Sequence, residues 1–439
     1  MKVSFRGGVH PAHHSKNPTR SLPVKDFVSD TVRIITGMHI GAPSATCVKK
    51  GDHVLMGQVI AEPVGALGIP VHASVSGEVI SVEKITYIGA QPVECITIQN
   101  DYNDTWVELK PLGNVETVDP SLIVPAVKNA GICGMGGASF PTHIKLSPRE
   151  GLVCNTIIAN GAECETHLTA DHRLMLENSV RIVDGLRAAM RAVGAKEGII
   201  GIEDNKPDAI KAMEEACRGR ENVRVQAMRT KYPQGGEKQL IEAITGKQVP
   251  TGKLPIDAGV IVLNVGTCAA IADAIIDGKP LVERITTITG AVRKPSNLRL
   301  RIGTITQDAI GECEGYDGTP GKICFGGAMT GLPLPNDDLP MAKSTNGIVV
   351  YTPKEAAADM ESACIRCGKC VGVCPIGLNP FEIKLAADRD DVDKAQKLNV
   401  MDCVLCGCCS FVCPARRWLT ASFKIAKQKV AAKAKGGAK

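Results

Sequence analysis

Cys364-Ile-Arg-Cys367-Gly-Lys-Cys370-Val-Gly-Val-Cys374-Pro375 is followed by Cys403-Val-Leu-Cys406-Gly-Cys-Cys409-Ser-Phe-Val-Cys413-Pro414. Both stretches read Cys-x2-Cys-x2-Cys-x3-Cys-Pro, a spacing at which one tight loop wraps three corners of an iron–sulfur cube. The pattern predicts two [4Fe–4S] clusters in a C-terminal domain organised around metal. Cys-x2-Cys pairs also build zinc ribbons, but zinc needs only two such pairs per site. A disulfide framework belongs to small secreted domains; this chain is long, and its start, MKVSFRGGVH, lacks the apolar core of a signal peptide. Cytosolic exposure is therefore expected. Cys408 lies off the spacing and reads as a non-ligand thiol. The other nine cysteines, among them Cys133, Cys154, Cys164 and Cys268, are scattered and read as small apolar packing residues.

In two-cluster ferredoxins the fourth cysteine of such a run ligates the other cluster. The expected ligand sets are therefore crossed. Cys364, Cys367, Cys370 and Cys413 would hold one cluster, and Cys374, Cys403, Cys406 and Cys409 the other.

The 439 residues exceed one ordinary core and predict several domains. Hydrophobic content of 44% and charged content of 22% fit a folded soluble protein, and 3% aromatic residues with a net charge of +5 argue against nucleic-acid binding. No stretch reaches the roughly 18 uninterrupted apolar residues of a membrane span. Gly259 to Ile276, broken by Asn264 and Asp273, reads as a buried strand running into a helix. Lys424, Lys427, Lys429, Lys433, Lys435 and Lys439 mark residues 423–439 as a basic tail, a solvated helix end followed by disorder.

The expected architecture is a multidomain α/β chain. Residues 1–112 form short β runs, as in Gly57-Gln-Val-Ile-Ala and Gly77-Glu-Val-Ile-Ser-Val. Lys50-Gly51-Asp52 to Ile60, followed by Val71 to Val79, resembles a lipoyl-type β barrel-sandwich. The intervening Pro63-Val-Gly-Ala-Leu-Gly-Ile-Pro70 holds no carrier lysine, so the expectation is a scaffold. Residues 113–278 alternate strand and helix patterns and predict a parallel, Rossmann-like sheet. Strands are expected at Gly151 to Ala159, Glu197 to Ile202, Val223 to Met228 and Val260 to Leu263. Helices are expected at Arg173 to Val193, Pro207 to Arg218 and Glu237 to Ile244. Residues 279–352 return to β character, and 353–422 hold the cluster runs of a C-terminal α-helical ferredoxin domain.

Within the α/β region, Gly131-Ile-Cys-Gly134-Met-Gly136-Gly137-Ala-Ser-Phe140-Pro-Thr-His-Ile-Lys145 supplies glycines that let backbone N–H groups approach a phosphate, with Lys145 to neutralise it. Alone it reads equally as a structural turn. With Asn160-Gly-Ala-Glu163-Cys-Glu165, Tyr232-Pro-Gln-Gly235-Gly236-Glu237 and Asn264-Val-Gly-Thr267, it resembles the flavin- and NADH-binding subunit of respiratory complex I. That resemblance implies FMN held by Gly134, Gly136, Gly137, Lys145, Asn160, Glu163, Tyr232, Gly235, Glu237, Asn264 and Thr267. It places Glu165 and Phe140 on the nicotinamide side as catalytic-site residues. Ala162 and Gly236 stand where that family carries acidic residues, which weakens the inferred nucleotide contacts.

The order of barrel, flavin region, a stretch similar to a ligand-binding β-grasp domain (Thr287 to Gly331) and paired clusters resembles the RnfC family of the Rnf electron-transport complex. Gly7-Gly8-Val-His10-Pro11 fits the same family. The resemblance implies a peripheral subunit on the cytoplasmic face of the cell membrane. It would exchange hydride between NAD(H) and FMN and pass single electrons through two [4Fe–4S] clusters. Its implied partners are membrane-embedded Rnf subunits and an iron–sulfur subunit, with ferredoxin reached indirectly. A cobalamin reductase of microcompartments resembles the same regions. A pure electron-carrier subunit without flavin is the reading of another class.

Overall fold

The computed structural model describes residues 2–89, 91–357 and 360–436. Its centre is a four-stranded, fully parallel sheet in the order Val223–Met228, Glu197–Glu203, Thr156–Gly161, Val260–Asn264. These strands carry apolar residues on both faces, Ile157, Ile158, Ile199, Ile200, Val262 and Leu263 among them, because helices cover both sides. Ser179–Val193 and Val265–Ile276 pack so closely that a Cβ on Gly185 would collide with the Cys268 carbonyl. The single helix expected over Arg173 to Val193 is two, Ala170–Glu177 and Ser179–Val193. Asn178 leaves helical geometry between them (φ −140°, ψ 36°). The first strand begins later than expected, at Thr156.

Residues 1–112, read from the sequence as one barrel, contribute in three places. The barrel-sandwich pairs a sheet of Thr31–Ile35, Pro92–Asn100, Gly77–Thr86 and His53–Val54 with one of Ala45–Thr46, Val59–Glu62 and Val71–His72. Lys25–Phe27 instead pairs in parallel with Leu298 to Leu300, at the edge of a six-stranded sheet. That sheet runs Lys25–Phe27, Ser296–Arg301, Glu283–Gly290, Gly347–Tyr351, Lys322–Phe325, Leu332–Pro333. Residues 3–20 leave the barrel altogether and lie along the central sheet. Val3 bridges Met228, Val9 bridges Tyr232, and Thr19 Oγ1 meets Thr169 Oγ1 at 2.7 Å.

The supposed basic tail is mostly structure. Leu419–Gly436 is one helix that buries Phe423, Ala426 and Val430 against Leu378 and Ile383. Lys427 Nζ donates to the Met401 and Cys403 carbonyls at 2.8 and 2.5 Å, while Lys429 and Lys433 pair with Asp390 and Asp393. The sequence reading missed this because the apolar residues are sparse and long lysine stems cover the rest of the contact. Lys439 lies outside the described residues. Among the described residues, no helix is long and apolar enough to cross a membrane.

The barrel is clamped onto the central domain. Ile40 N donates to the Ser139 carbonyl (3.0 Å), and Lys343 Nζ joins the Gly131 and Pro70 carbonyls (2.7 and 3.3 Å). His39, His72 and His143 are buried at this junction. Burial, with the nearby Lys343, pushes His72 down to about 3 and His39 to about 4. Both fold neutral, whereas an unfolded histidine takes a proton near pH 6.5. The unfolded state therefore binds more protons below that pH, so stability is greatest above about 6.5 and is lost as pH falls toward 4. Melting temperature should drop over that interval, with His72 alone contributing on the order of 3 kcal/mol by pH 4. His72→Gln should flatten the drop, and a melting curve with the same pH slope in both proteins would refute the assignment.

Candidate functional site

In open parallel sheets, ligands bind beyond the carboxyl ends of the strands where the strand order reverses. Here that point lies between Thr156–Gly161 and Val260–Asn264, whose ends place Asn160 directly beside Asn264. Asn264 caps the following helix by accepting from Gly266 N (2.8 Å), and its Nδ2 donates to Asp171 Oδ2 (2.7 Å). Asn160 Nδ2 donates to the Gly235 carbonyl (2.8 Å).

The glycine loop closes over this point. Gly134 N donates to the Phe140 carbonyl (2.8 Å), and Met135 N to Thr267 Oγ1 (3.0 Å). Buried Arg284 holds the Met135 carbonyl from below (3.1 Å). A Cβ on Gly136 would sit 3.4 Å from the Asn264 side chain, and Gly137 has φ +113° with open space around it. No acceptor among the described residues takes the N–H of Gly136, Gly137 or Ala138. Three exposed, consecutive donors beside a helix N-terminus suit a phosphate. Lys145 is near but already engaged, since its Nζ pairs with Glu237 (2.8 Å) and donates to the Val262 carbonyl (3.0 Å).

Both acidic candidates are held by hydrogen bonds from elsewhere in the fold. Glu163, in left-handed backbone geometry (φ 44°), caps Ala170–Glu177 by accepting from Asp171 N (2.7 Å) and His172 N (3.3 Å). Burial raises its carboxyl to about 7 against the pull of Lys16. Two buried lysines absent from the sequence reading hold this loop: Lys16 Nζ meets the Glu163 carbonyl (2.5 Å) and Lys206 Nζ the Ala162 carbonyl (2.7 Å). Nothing local announces them, because each becomes interior only through partners far along the chain. Glu165, also raised by burial, accepts from Met329 N (3.1 Å), Thr330 N (2.8 Å) and Thr330 Oγ1. It thereby ties the central domain to the Gly326–Gly331 turn. Phe140 is half-buried in the glycine loop.

Tyr232 links this site to the cysteines. It is buried, its hydroxyl donates to the Cys406 carbonyl (2.8 Å), and its backbone pairs with Val9. Gly7 and Gly8 fill the gap alongside, with φ +77° and +81°. A Cβ on Gly7 would lie 2.8 Å from the Cys374 carbonyl, and one on Gly8 2.6 Å from the Tyr232 carbonyl. The slot therefore requires two residues without side chains.

The eight spaced cysteines fall into two groups. One cavity of about 30 Å³ is lined by Cys364, Cys367, Cys370 and Cys413, and another of about 20 Å³ by Cys374, Cys403, Cys406 and Cys409 together with Cys408. The last cysteine of each run thus faces the other run's first three. The loops repeat each other closely: Arg366 and Leu405, Gly368 and Gly407, and Gly377 and Arg416 all have positive φ. Left-handed geometry costs a non-glycine residue roughly 1–2 kcal/mol, so its recurrence at matched positions marks loops shaped around something. Leu378 N, Leu405 N and Arg417 N donate to the sulfurs of Cys374, Cys403 and Cys413 at 3.3, 3.4 and 3.5 Å, as suits thiolate ligands. Among the described residues, no three His, Cys, Asp or Glu side chains are gathered for a single ion. The sulfurs line cavities instead.

Three family models match the chain. Residues 3–103 fit the RnfC barrel sandwich hybrid domain, 127–273 the Nuo51 FMN-binding domain, and 357–414 a 4Fe-4S dicluster domain. The chain is 45% identical over 437 residues to the C component of the Na(+)-translocating ferredoxin:NAD(+) oxidoreductase complex of Acetobacterium woodii, covering 99% of this chain and 98% of that one. It is 43% identical over 406 residues to the C component of the proton-translocating ferredoxin:NAD(+) oxidoreductase complex of Clostridium ljungdahlii (92% and 88% covered). To the C component of the ion-translocating oxidoreductase complex of Rhodobacter capsulatus it is 40% identical over 435 residues (98% and 84%). The cofactors are accordingly FMN and [4Fe–4S] clusters. A barrel, a flavin layer and a dicluster domain, matched nearly end to end, make this chain a member of the RnfC family, which serves ion-translocating ferredoxin:NAD+ oxidoreductase complexes.

Proposed function

We propose that this chain exchanges hydride with NAD(H) and passes the electrons singly through two clusters toward membrane-embedded subunits and an iron–sulfur subunit. It would do so from the cytoplasmic face of the membrane. FMN supplies the conversion between two-electron and one-electron chemistry, and the clusters supply the one-electron steps. The residues divide the remaining work. The N–H groups of Gly136, Gly137 and Ala138 bind the phosphate, helped by the third donor of the Lys145 ammonium, whose other two are taken by Glu237 and the Val262 carbonyl. Asn160, Gly235, Asn264 and Thr267 hold the floor of the crevice, and Glu163 holds the loop above it through the helix it caps. Glu165 and Phe140 face the nicotinamide, and Tyr232 and Glu237 close the side.

The crossed cysteine sets hold one cluster each. The observation that carries this reading is the buried patch of Val9, Tyr232 and Cys408, packed with Cys164, Met329, Val373, Cys406 and Val412. It packs the Tyr232 loop against the second cysteine cavity. Cys364 and Cys367 of the first cavity are exposed, which suits an exit toward a partner. Domain limits at 112/113, 278/279, 352/353 and 422/423 accompany the proposal. The six-stranded sheet with its helix Thr306–Glu312 is read as a β-grasp domain, because two parallel central strands are flanked by antiparallel ones.

Anaerobically purified chain should contain flavin, iron and sulfide, and its flavin absorbance should bleach on adding NADH. Iron and sulfide without flavin, or flavin indifferent to NADH, would defeat the hydride half of the proposal.

A further inference from the structure

Residues 3–9 run between two domains and are hydrogen-bonded to both. Along one edge Val9 exchanges two backbone hydrogen bonds with Tyr232 (2.8 and 2.9 Å), Arg229 N donates to the Val3 carbonyl (3.0 Å), and Lys231 Nζ donates to the Phe5 carbonyl (3.0 Å). Along the other edge Gly8 N donates to the carbonyl of Val373, the residue before Cys374 (2.8 Å). Among the described residues, no other hydrogen bond joins residues 364–375 to the chain outside the cluster domain. The second run needs no intermediary, since the Tyr232 hydroxyl meets the Cys406 carbonyl directly (2.8 Å). The cavity lined by Cys374 and Cys406 is therefore tied to the Tyr232 loop on two sides, once by a phenol and once by the N-terminal segment.

We propose that Gly7 and Gly8 are positioning residues for electron transfer: as a spacer one backbone thick, they fix the Cys374 side of the second cluster against the Tyr232 loop of the flavin crevice. This rests on the ligand grouping and the functional reading proposed above. The two glycines face opposite walls. A Cβ on Gly7 would point at the first cysteine run, 2.8 Å from the Cys374 carbonyl oxygen and 3.0 Å from that of Val373, whereas one on Gly8 would meet the Tyr232 carbonyl oxygen at 2.6 Å. Both walls are main chain, so no change of rotamer makes room for a methyl group, and a wall has to retreat. The positive φ at both positions is a second demand for glycine. A retreat of the Cys374 wall acts on one half of the proposed reaction. NADH gives up a hydride, whose two electrons reduce the two clusters by one each and whose proton goes to solvent. Hydride exchange depends on geometry inside the crevice, which Gly7 does not line. Passage of electrons to the cluster depends on its separation from the crevice, which Gly7 sets.

The test compares full-length wild type, Gly7→Ala, Gly8→Ala and His10→Ala, purified anaerobically. Iron, sulfide and flavin contents are measured first, then hydrogen exchange of residues 371–376. Rapid mixing with NADH follows, read by flavin absorbance and by electron paramagnetic resonance of the reduced clusters. Gly7→Ala should keep wild-type cofactor content and accept hydride at the wild-type rate. Its cluster signals should appear about tenfold more slowly, a loss of the kind that ångström-scale misplacement brings. Exchange at residues 371–376 should quicken in the same variant. Gly8→Ala, which presses on the opposite wall, should slow the cluster signals likewise. His10→Ala, at an exposed position of the same segment, should match wild type in every reading. Clusters that fill at the wild-type rate in Gly7→Ala would overturn the proposal. Loss of iron in both glycine variants would also overturn it, because the segment would then serve loading and not position. If the flavin of the wild type itself bleaches with NADH while its clusters stay oxidised, the functional reading fails, and the role of the glycines falls with it.

Discussion

Cys413→Ala is expected to lose the cluster of the first run, although Cys413 belongs to the second. About half the iron should go, and the cluster of Cys374, Cys403, Cys406 and Cys409 should survive. The physical reason is the cavity in which Cys413 lies with Cys364, Cys367 and Cys370. Three sulfurs would leave one iron corner without a protein ligand, and a loop with left-handed residues at Arg366 and Gly368 would lose the group it is shaped to hold. Paired substitutions distinguish crossed from uncrossed ligation. Under crossing, Cys413→Ala with Cys364→Ala should cost no more iron than either alone, since both strike one cluster. Cys413→Ala with Cys403→Ala should cost nearly all of it. The reverse pattern would establish that each run serves its own cluster. Crossing also implies that neither loop can be loaded alone, so truncation after the first run should yield a protein with little iron.

The second large effect concerns Lys206. Its side chain is 2% exposed, and its Nζ donates to the Ala162 carbonyl (2.7 Å) and Asn205 Oδ1 (3.0 Å). Glu203, 1% exposed, lies 3.5 Å away and also accepts from Lys231 N (3.1 Å). Lys206→Met keeps the stem but leaves a buried carboxylate without its cation, at a cost of roughly 3–5 kcal/mol. For a domain of this size that lowers the melting temperature by roughly 10 °C or more. Lys206→Met with Glu203→Gln should recover most of the loss, because a neutral pair removes the uncompensated charge. Flavin content is the second readout. With the Ala162 carbonyl released, the loop from Asn160 to Glu165 loses one of its two lysine tethers, and retained flavin should fall even in the stabilised double variant. A single variant that melts with wild type would show that Glu203 carries no buried charge.

Some elements of this fold announce themselves in the sequence and others do not, and the division has a pattern. The cysteine runs were legible because metal ligation ties chemistry to spacing. A thiolate at the wrong offset cannot reach its corner, so the grouping found in the cavities could be written down from the spacing. The parallel strands were legible because burial on both faces demands unbroken apolar runs, and the strand Val223–Met228 was placed to the residue. Helix ends and breaks were less so. Asn178 interrupts a pattern that stays amphipathic on both sides, and only the cap by Glu163 on one side and the contact with Val265–Ile276 on the other require the change of direction.

What the sequence alone determined is the inventory: two cluster loops, a glycine loop beside a parallel sheet, a barrel without a carrier lysine, and therefore the chemical class. Those are local properties, in which a few neighbouring residues bear the whole constraint. Only the tertiary structure decided how the parts touch. It threaded Gly7, Gly8 and Val9 between the Tyr232 strap and the Cys374 loop, put Lys16 and Lys206 inside, and turned a lysine-rich tail into a packed helix. A lysine or a glycine carries no mark of where it will be buried. That depends on which distant carbonyl or carboxylate arrives beside it, and the free energy of such a meeting resides in the pair and not in either segment.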